Sequence, residues 1–344
     1  MAAANNGSRT STRERWTRAG DFLLDHAMII IILAMVVYIQ TQRPAFLKTA
    51  SIVNIITLTA SRLPMALGIA GAIILTGTDL SAGRTVGLTA FISAIFLQKL
   101  DVAGRFLQSA ALPLPMVLLM VMAVGGLVGA VNGFCVANFK LHPFIVTLAT
   151  QLIIYGAYLT VSGAKQISSL DARYTTEFVT RTLFRIGTTS VMSYVVFSAI
   201  VTAVMWVVWN KTAFGKNMFA VGSNEEAARV SGVNVTMTVI CVFMLAGATY
   251  GYTGFVEAAR LGASTGTLGL NYELDAIAAC VIGGVSFIGG IGKISGVILG
   301  VFLMQLIING MTFLGISGNT TYIIKGLVIL VACAIDMRKY LSKK

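Results

Sequence analysis

With 344 residues, 56% of them hydrophobic and only 11% charged, and a mean hydropathy of +0.85, the chain is far more apolar than a soluble domain, in which about a quarter of residues are charged. Its net charge of +12 comes from basic residues dispersed among apolar runs, which argues against a nucleic-acid partner and for membrane topology and contact with lipid headgroups. Cys135, Cys241, Cys280 and Cys333 lie in apolar segments without a C-x-x-C spacing, and the only histidines are His26 and His142, so no disulfide framework and no metal site is expected.

The first segment carries Arg9, Arg13, Arg15 and Arg18 ahead of an apolar run that lacks an A-x-A-like cleavage site, the pattern of an uncleaved cytoplasmic tail over residues 1–23. A transmembrane domain is expected over residues 24–337. It holds ten apolar stretches, at 24–42, 52–76, 82–99, 114–138, 143–162, 191–210, 235–257, 273–291, 294–315 and 320–337, set against the roughly 20 residues a helix needs to cross a bilayer. The expected fold is all-α and polytopic, with about ten transmembrane helices, some of them broken. An even count puts both termini on one side, and a modest bias of Lys and Arg makes that side cytoplasmic, with residues 338–344 as a second short tail.

Pro44, Pro113, Pro115 and Pro143 fall at the ends of stretches, whereas Pro64 lies in the middle of the second, two residues after Arg62. A kink or break is predicted there, because a proline inside a helix costs about 3 kcal/mol and frees a carbonyl. Two further places, LTGTDLSAGR from Leu75 and YELDAIAACVIGGVSFIGGIGK from Tyr272, interrupt apolar sequence with glycine and polar residues. Sliding one against the other by 207 positions matches Leu67 with Leu274, Ala72 with Ala279, Gly77 with Gly284, Gly83 with Gly290 and Gln98 with Gln305, a hint of duplication. Paired glycine-interrupted spans are a usual pointer to a transport path. Elsewhere Gly129 and Gly133, then Gly292, Gly296 and Gly300, recur every four residues, as in helices that approach closely.

Residues 211–235 form a polar stretch between two apolar runs. Ser223 and Glu226 have the S-x-x-E spacing of a capping box, Glu225 and Glu226 fill a first turn, and Gly232 ends the helix. A helix of two turns, about 10 Å, is too short for a core and too polar to span a bilayer. It is either an ordinary helix on the membrane surface or an element presented to a partner.

Catalytic signatures are missing. No stretch matches G-x-x-x-x-G-K-[ST], H-E-x-x-H or a nucleophile elbow, so neither a nucleotide cradle nor a catalytic residue is expected, and no cofactor of the chain's own. The spans also hold few of the carboxylates that ion-coupled carriers embed. A path for a neutral polar solute can instead use Asn54, Thr57, Thr59, Asn132, Gln151, Tyr155, Gln305 and Asn309, each of which can equally serve as a hydrogen bond between helices. Arg62, Pro64, Gly77, Asp79 and Gly284 complete the candidate path. Asp79 is placed to sit at the positive end of the third helix, and Glu273 and Asp275 at that of the eighth.

On these stretches the chain resembles the membrane permeases of bacterial monosaccharide ABC importers, over about residues 20–340. The residues that carry the resemblance are GTDLSAGRTVGL from Gly77, NGFCVANFKLHPFIVTLAT from Asn132, WNKTAFGKNMFAVGSNEEAARVSGVNV from Trp209 and YELDAIAACVIGGVSFIGGIG from Tyr272. Within the family, TDLSAGR, the ELDAIAACV run with GGVSF, and SGVNV are most similar to members of the galactose/methyl-galactoside type, for which glucose is a further sugar, with types for ribose, xylose or another small solute as the alternative. The resemblance implies a non-catalytic subunit of the bacterial inner membrane that works as two copies. It also implies a cytoplasmic ATPase with two nucleotide-binding halves that binds the ATP, and a periplasmic or lipoprotein receptor that delivers sugar for import by alternating access. The family's coupling segment maps onto residues 215–232, with Gly215, Asn224, Glu225, Glu226, Ala227, Ala228, Arg229, Ser231 and Gly232 as the ATPase-coupling positions. Family members often read NPEAA where this chain reads NEEAA. A stand-alone facilitator or secondary carrier is the competing reading from another class, and it predicts sugar flux without ATP.

Overall fold

The computed structural model describes residues 27–108 and 112–341. The expected N-terminal tail with its arginines lies outside them, as do His26 and the last three residues. In chain order the helices are α1 (Ala27–Gln42), α2 (Thr49–Ile74), α3 (Ala82–Phe96), α4 (Leu114–Phe139), α5 (Pro143–Ser162), α6 (Ser193–Lys211), α7 (Ala213–Ser223), α8 (Glu225–Val230), α9 (Val235–Leu261), α10 (Tyr272–Ile282), α11 (Ile294–Phe313) and α12 (Gly318–Leu341). Six of them, α2, α4, α5, α6, α9 and α11, are long and apolar enough to cross a membrane. Shorter apolar stretches occupy α1, α3 and α12.

The chain divides into two compact units. One comprises the described residues up to Leu47 together with those from Leu306 onward, and its interior gathers Ile39 and Phe46 against Gly310 and Phe313. The other, 48–305, holds the candidate sites. At its centre α9 packs along α4 and against α3 and α2. Buried residues fill most of α2 and α9, whereas α4, α5 and α6 turn Leu119, Leu127, Ile153, Ile200 and Val204 outward, the apolar surface that a lipid solvent covers without cost.

Small residues set these approaches. A β-carbon on Gly129 would lie 2.0 Å from the Phe243 carbonyl oxygen, and one on Gly133 2.8 Å from the Ile240 Cα. The same holds on α11, where β-carbons on Gly296 and Gly300 would meet the carbonyl oxygens of Gly283 and Ala279 at 2.0 and 1.9 Å. Both glycine series therefore mark helix contacts, although Gly292 lies ahead of α11 and faces Ile74.

Four expectations are corrected. Pro64 does not break its helix: α2 runs through it, and from Thr59 to Ile74 every residue except Arg62 is buried, so tertiary packing keeps the chain helical past the lost hydrogen bond. The eighth stretch does not continue to residue 291. Helix α10 has 11 residues, about 16 Å against a hydrocarbon core of roughly 30 Å, and a loop follows at 283–293 in which Gly284, Gly289 and Gly290 adopt φ of 81°, 91° and 67°.

The fold is also not wholly helical. A π-helical turn at Thr175–Val179 leads into an antiparallel hairpin, β1 (Thr182–Ile186) and β2 (Thr189–Met192), in which Ile186 pairs with Thr189 around Gly187 at φ 62°. The buried Tyr174 hydroxyl, donating to the Phe255 carbonyl, ties this segment to α9. Finally, the 207-residue offset holds only up to the turns. It aligns the ends of α2 and α10, but the loop after α10 is longer than 75–81, so Gly83 within α3 has no true counterpart in Gly290, and Gln98 beyond α3 none in Gln305 within α11.

Candidate functional site

The stretch 211–235 folds as two helices in place of the expected one. Thr212 caps α7 by accepting from the Gly215 amide at 3.1 Å, and a β-carbon on Gly215 would lie 2.1 Å from the Trp209 carbonyl oxygen. Gly215 is therefore a buried corner between α6 and α7, apart from any presented surface. Ser223 ends α7, so the expected capping box is corrected: Asn224 caps α8, its Oδ1 accepting from the Ala227 amide at 2.9 Å. At the other end the Val233 amide donates to Ala228 and the Gly232 amide to Arg229, both at 3.0 Å, with Gly232 at φ 86°, which is a Schellman closure. Asn224→Ala is expected to destabilise this six-residue helix by about 1 kcal/mol, read as faster amide exchange at Ala227.

Only Ala228 of α8 turns inward, against Val221 and Val235. Glu225, Glu226, Ala227, Arg229, Ser231 and Gly232 are exposed, and Val230 is 89% exposed. Glu225 meets Arg229 at 2.5 Å and Lys140 of the α4–α5 corner at 3.4 Å, while Glu226 lies 3.6 Å from Arg229. Such exposed pairs add little stability, so what α8 offers is a rigid, capped knob with a bare valine at its tip. Beside it, a groove of about 440 Å³ runs between the end of α4, the α7–α8 corner and the start of α9, with His142 and Pro143 on its rim.

Inside the bundle, Asp79 is buried just before α3. Its Oδ1 accepts from the Ser81 amide at 2.9 Å and from the Ser81 hydroxyl at 2.6 Å, at the helix end where it was expected, although Ser81 occupies the cap position. The Ser81 hydroxyl in turn accepts from Asn132 Nδ2 at 2.9 Å, and Thr150 donates to Asn132 Oδ1 at 2.6 Å. This chain of bonds joins α3, α4 and α5, and half-buried Gln151 follows Thr150 on α5. Asp79 Oδ2 and the Tyr250 hydroxyl, both buried, face each other with no hydrogen bond of ordinary geometry among the described residues. Gly77 rests on Pro143, 3.3 Å from a would-be β-carbon. Arg84 is buried near the start of α3, stacked 3.9 Å from the centre of the Tyr155 ring.

Arg62, near the middle of α2, faces Glu257 of α9 at 3.7 Å and lies over the Tyr272 ring, 3.2 Å from its centre. Glu257 is wholly buried and held by Arg260 through Nη2 at 2.9 Å and Nε at 3.2 Å. Arg62, Tyr272, Asp275 and Gln305 line a cleft between α2, α10 and α11 whose free space is about 20 Å³, room for about one water. Two charges and an aromatic face thus converge where α2 meets the first turn of α10. Sequence reasoning singled out Arg62 but missed Arg260 and Tyr272; the Glu-x-x-Arg spacing on one helix face was the available signal for the first. Of the remaining path candidates, Pro64 is buried in α2, Asn54 is exposed two turns before Arg62, Gly284 follows α10, and half-buried Asn309 belongs to the other compact unit.

Residues 51–333 match the family model described as "Branched-chain amino acid transport system / permease component". The chain belongs to this permease family. Among curated relatives, the permease is 44% identical to the "Galactose/methyl galactoside import permease protein MglC" of Haemophilus influenzae, over 94% of its own length and 97% of the relative's. It is equally similar, at 44% with the same coverage, to the protein of that name from Escherichia coli K12, and 32% identical to the "Ribose import permease protein RbsC" of that strain, over 96% and 98%. No solved structure matches it.

Proposed function

We propose that this permease is the transmembrane subunit of an ATP-driven importer for galactose and methyl galactosides. The observation that carries the reading is the 44% identity to galactoside permeases along nearly the whole chain, against 32% to ribose permeases. Two copies of the chain enclose the path, both termini lie in the cytoplasm of a bacterial cell, a receptor presents the sugar from outside, and a cytoplasmic ATPase with two nucleotide-binding halves supplies the work. Helix α8 is the coupling helix, docking through Glu226, Arg229 and Val230, which are exposed, while Ala228 and the capping residues fix its pose. The cleft at Arg62 is a constriction on the sugar's way: guanidinium, carboxylate and amide groups suit hydroxyls, and room for one water means that the path is shut there. Alternating access opens it when the ATPase halves close on ATP.

The test reconstitutes the permease with its ATPase and receptor in vesicles and supplies galactose, methyl galactoside, glucose, ribose and xylose in turn. ATP-dependent accumulation of the first two above the pentoses is the expected result; sugar entry without ATP or ATPase contradicts the reading and favours a facilitator. In the same system Glu226→Lys combined with Arg229→Glu is expected to release the ATPase and abolish uptake. Undiminished ATPase binding and uptake in that variant would remove α8 from the docking role.

A further inference from the structure

Just before the exposed helix α8, three backbones meet with few side chains between them. The last turn of α2, the end of α7 and the loop 283–293 converge there. The Gly290 amide donates to the Ile74 carbonyl at 2.9 Å, although more than two hundred residues separate them. A β-carbon on Gly222 would lie 1.9 Å from that same carbonyl oxygen and 2.9 Å from the Gly290 nitrogen. One on Gly289 would lie 2.4 Å from both the Gly222 carbonyl oxygen and the Thr76 Cγ2, and one on Gly290 2.1 Å from the Ser223 Oγ. The contacts at the Ile74 and Gly222 carbonyl oxygens and at the Gly290 nitrogen are with backbone, which cannot rotate away as the Thr76 and Ser223 side chains can. They transmit displacement with little slack.

What the junction joins gives it meaning. Asn224, the cap of α8, directly follows Ser223 at the junction. Ile74 is the last residue of α2, about 18 Å along the helix from Arg62. The loop 283–293 follows α10, whose first residue is Tyr272. So α2, and the loop that follows α10, both reach the segment that carries the exposed knob, and these two helices bring Arg62 and Tyr272 together at the cleft. Further up, the Cys280 thiol donates to the Ala66 carbonyl at 3.3 Å, tying the two helices to each other between junction and cleft. The turn out of α2 is also spring-like. Thr76 holds φ 61°, a left-handed backbone that a β-branched residue adopts at a cost, and the Gly77 amide bonds back to Ala72 at 2.9 Å.

We infer that the Gly222–Gly289–Gly290 junction is the positioning element of transport: it locks the segment carrying α8, the end of α2 and the loop after α10 into one body, so that displacement of α8 is delivered to the Arg62–Tyr272 cleft. This inference rests on the docking of α8 to the ATPase, and it adds the route by which the push travels. A junction of this kind is distinct from the docking surface. Filling it leaves α8 and its caps intact and separates the knob from the helices it moves.

The experiment uses the complete importer in vesicles and reads three quantities, namely ATPase binding, ATP hydrolysis and sugar taken up per ATP. Gly222→Ala places a methyl group where the Ile74 carbonyl stands. The expected result is a bound, hydrolysing ATPase with uptake per ATP reduced by about tenfold. An unchanged ratio overturns the inference, and so does loss of ATPase binding, which would put Gly222 in the docking surface itself. The docking reading fails separately, through the Glu226 and Arg229 variant above. If Gly222→Ala does not accumulate in the membrane, the glycines are left alone and spin labels are attached to Lys216→Cys on α7 and Ile291→Cys in the loop, both exposed, in a chain whose own cysteines are replaced. A label separation that stays within about 2 Å between nucleotide-free and nucleotide-trapped importer supports one body; a larger change overturns it.

Discussion

Replacing Glu257 with alanine is expected to cost about 3–5 kcal/mol, enough to remove most of the folded permease recovered from membranes, since a whole fold is held by only about 5–15 kcal/mol. Glu257 is wholly buried and is the carboxylate that both Arg260 and Arg62 face. Its removal leaves two guanidinium groups, each about one-fifth exposed, without the charge that offsets their desolvation. The two arginines are not equivalent. Arg260 makes two short bonds to Glu257 and Arg62 only a 3.7 Å approach, so Arg62→Met is expected to be the milder change, and Arg260→Met the harsher of the arginine substitutions. Combining Glu257→Ala with Arg260→Met is expected to recover part of the loss, because the second substitution removes one orphaned charge. Thermal unfolding of the detergent-purified chain ranks the four variants. A Glu257→Ala chain as heat-stable as the parent would mean that water reaches these arginines freely and that no buried pair exists.

How much of this was readable beforehand differs between the parts of the chain. The long apolar helices were legible because a run of some 20 residues without charge has few other destinations, and the boundaries of α4, α5 and α6 follow the apolar runs to within a few residues. Polar turns were legible too, down to Gly232 as the stop of α8. What failed was local chemistry overridden by packing. The pattern S-x-x-E at Ser223 fits a cap, yet α7 claims Ser223 as its last residue, and the cap passes to Asn224, whose amide oxygen serves as well. Pro64 reads as a break from propensity alone, and neighbours on every side of α2 keep it helical. The hairpin at 182–192 was invisible, since β1 is exposed throughout and so carries no alternation of apolar and polar residues.

The candidate site was half legible for a related reason. Arg62 stood out as a charge inside an apolar run, which sequence displays directly. Its partners lie on α9 and at the start of α10, roughly two hundred residues away, and only the fold brings them together. Asp79 and Asn132 were picked separately as candidate path residues; the structure joins them through Ser81 into one hydrogen-bonded chain. That bonding satisfies the bland reading of Asn132 as a link between helices, and beside it the buried Asp79 carboxylate faces the buried Tyr250 hydroxyl.

The same glycine-to-alanine substitution is expected to have opposite signs on the α4–α9 seam and on α5. Gly129→Ala inserts a methyl group 2.0 Å from the Phe243 carbonyl oxygen, and the facing wall is backbone on both helices; one turn away, β-carbons on Gly125 and Gly247 would meet each other's carbonyl oxygens at 2.2 and 2.0 Å. Nothing there can rotate aside, so the helices must separate, at a cost of about 1–3 kcal/mol or more, and Gly129→Val is expected to abolish recovery of folded protein. Gly156→Ala, on α5, meets nothing within 4 Å; a helical glycine replaced by alanine in open space gains up to about 1 kcal/mol from the reduced flexibility of the backbone. Composition and helix propensity favour alanine equally at both positions, so the predicted divergence belongs to the close approach alone. Unfolding temperatures that move together in the two variants would show that the seam has slack, and that α9 is not held against α4 by its glycines.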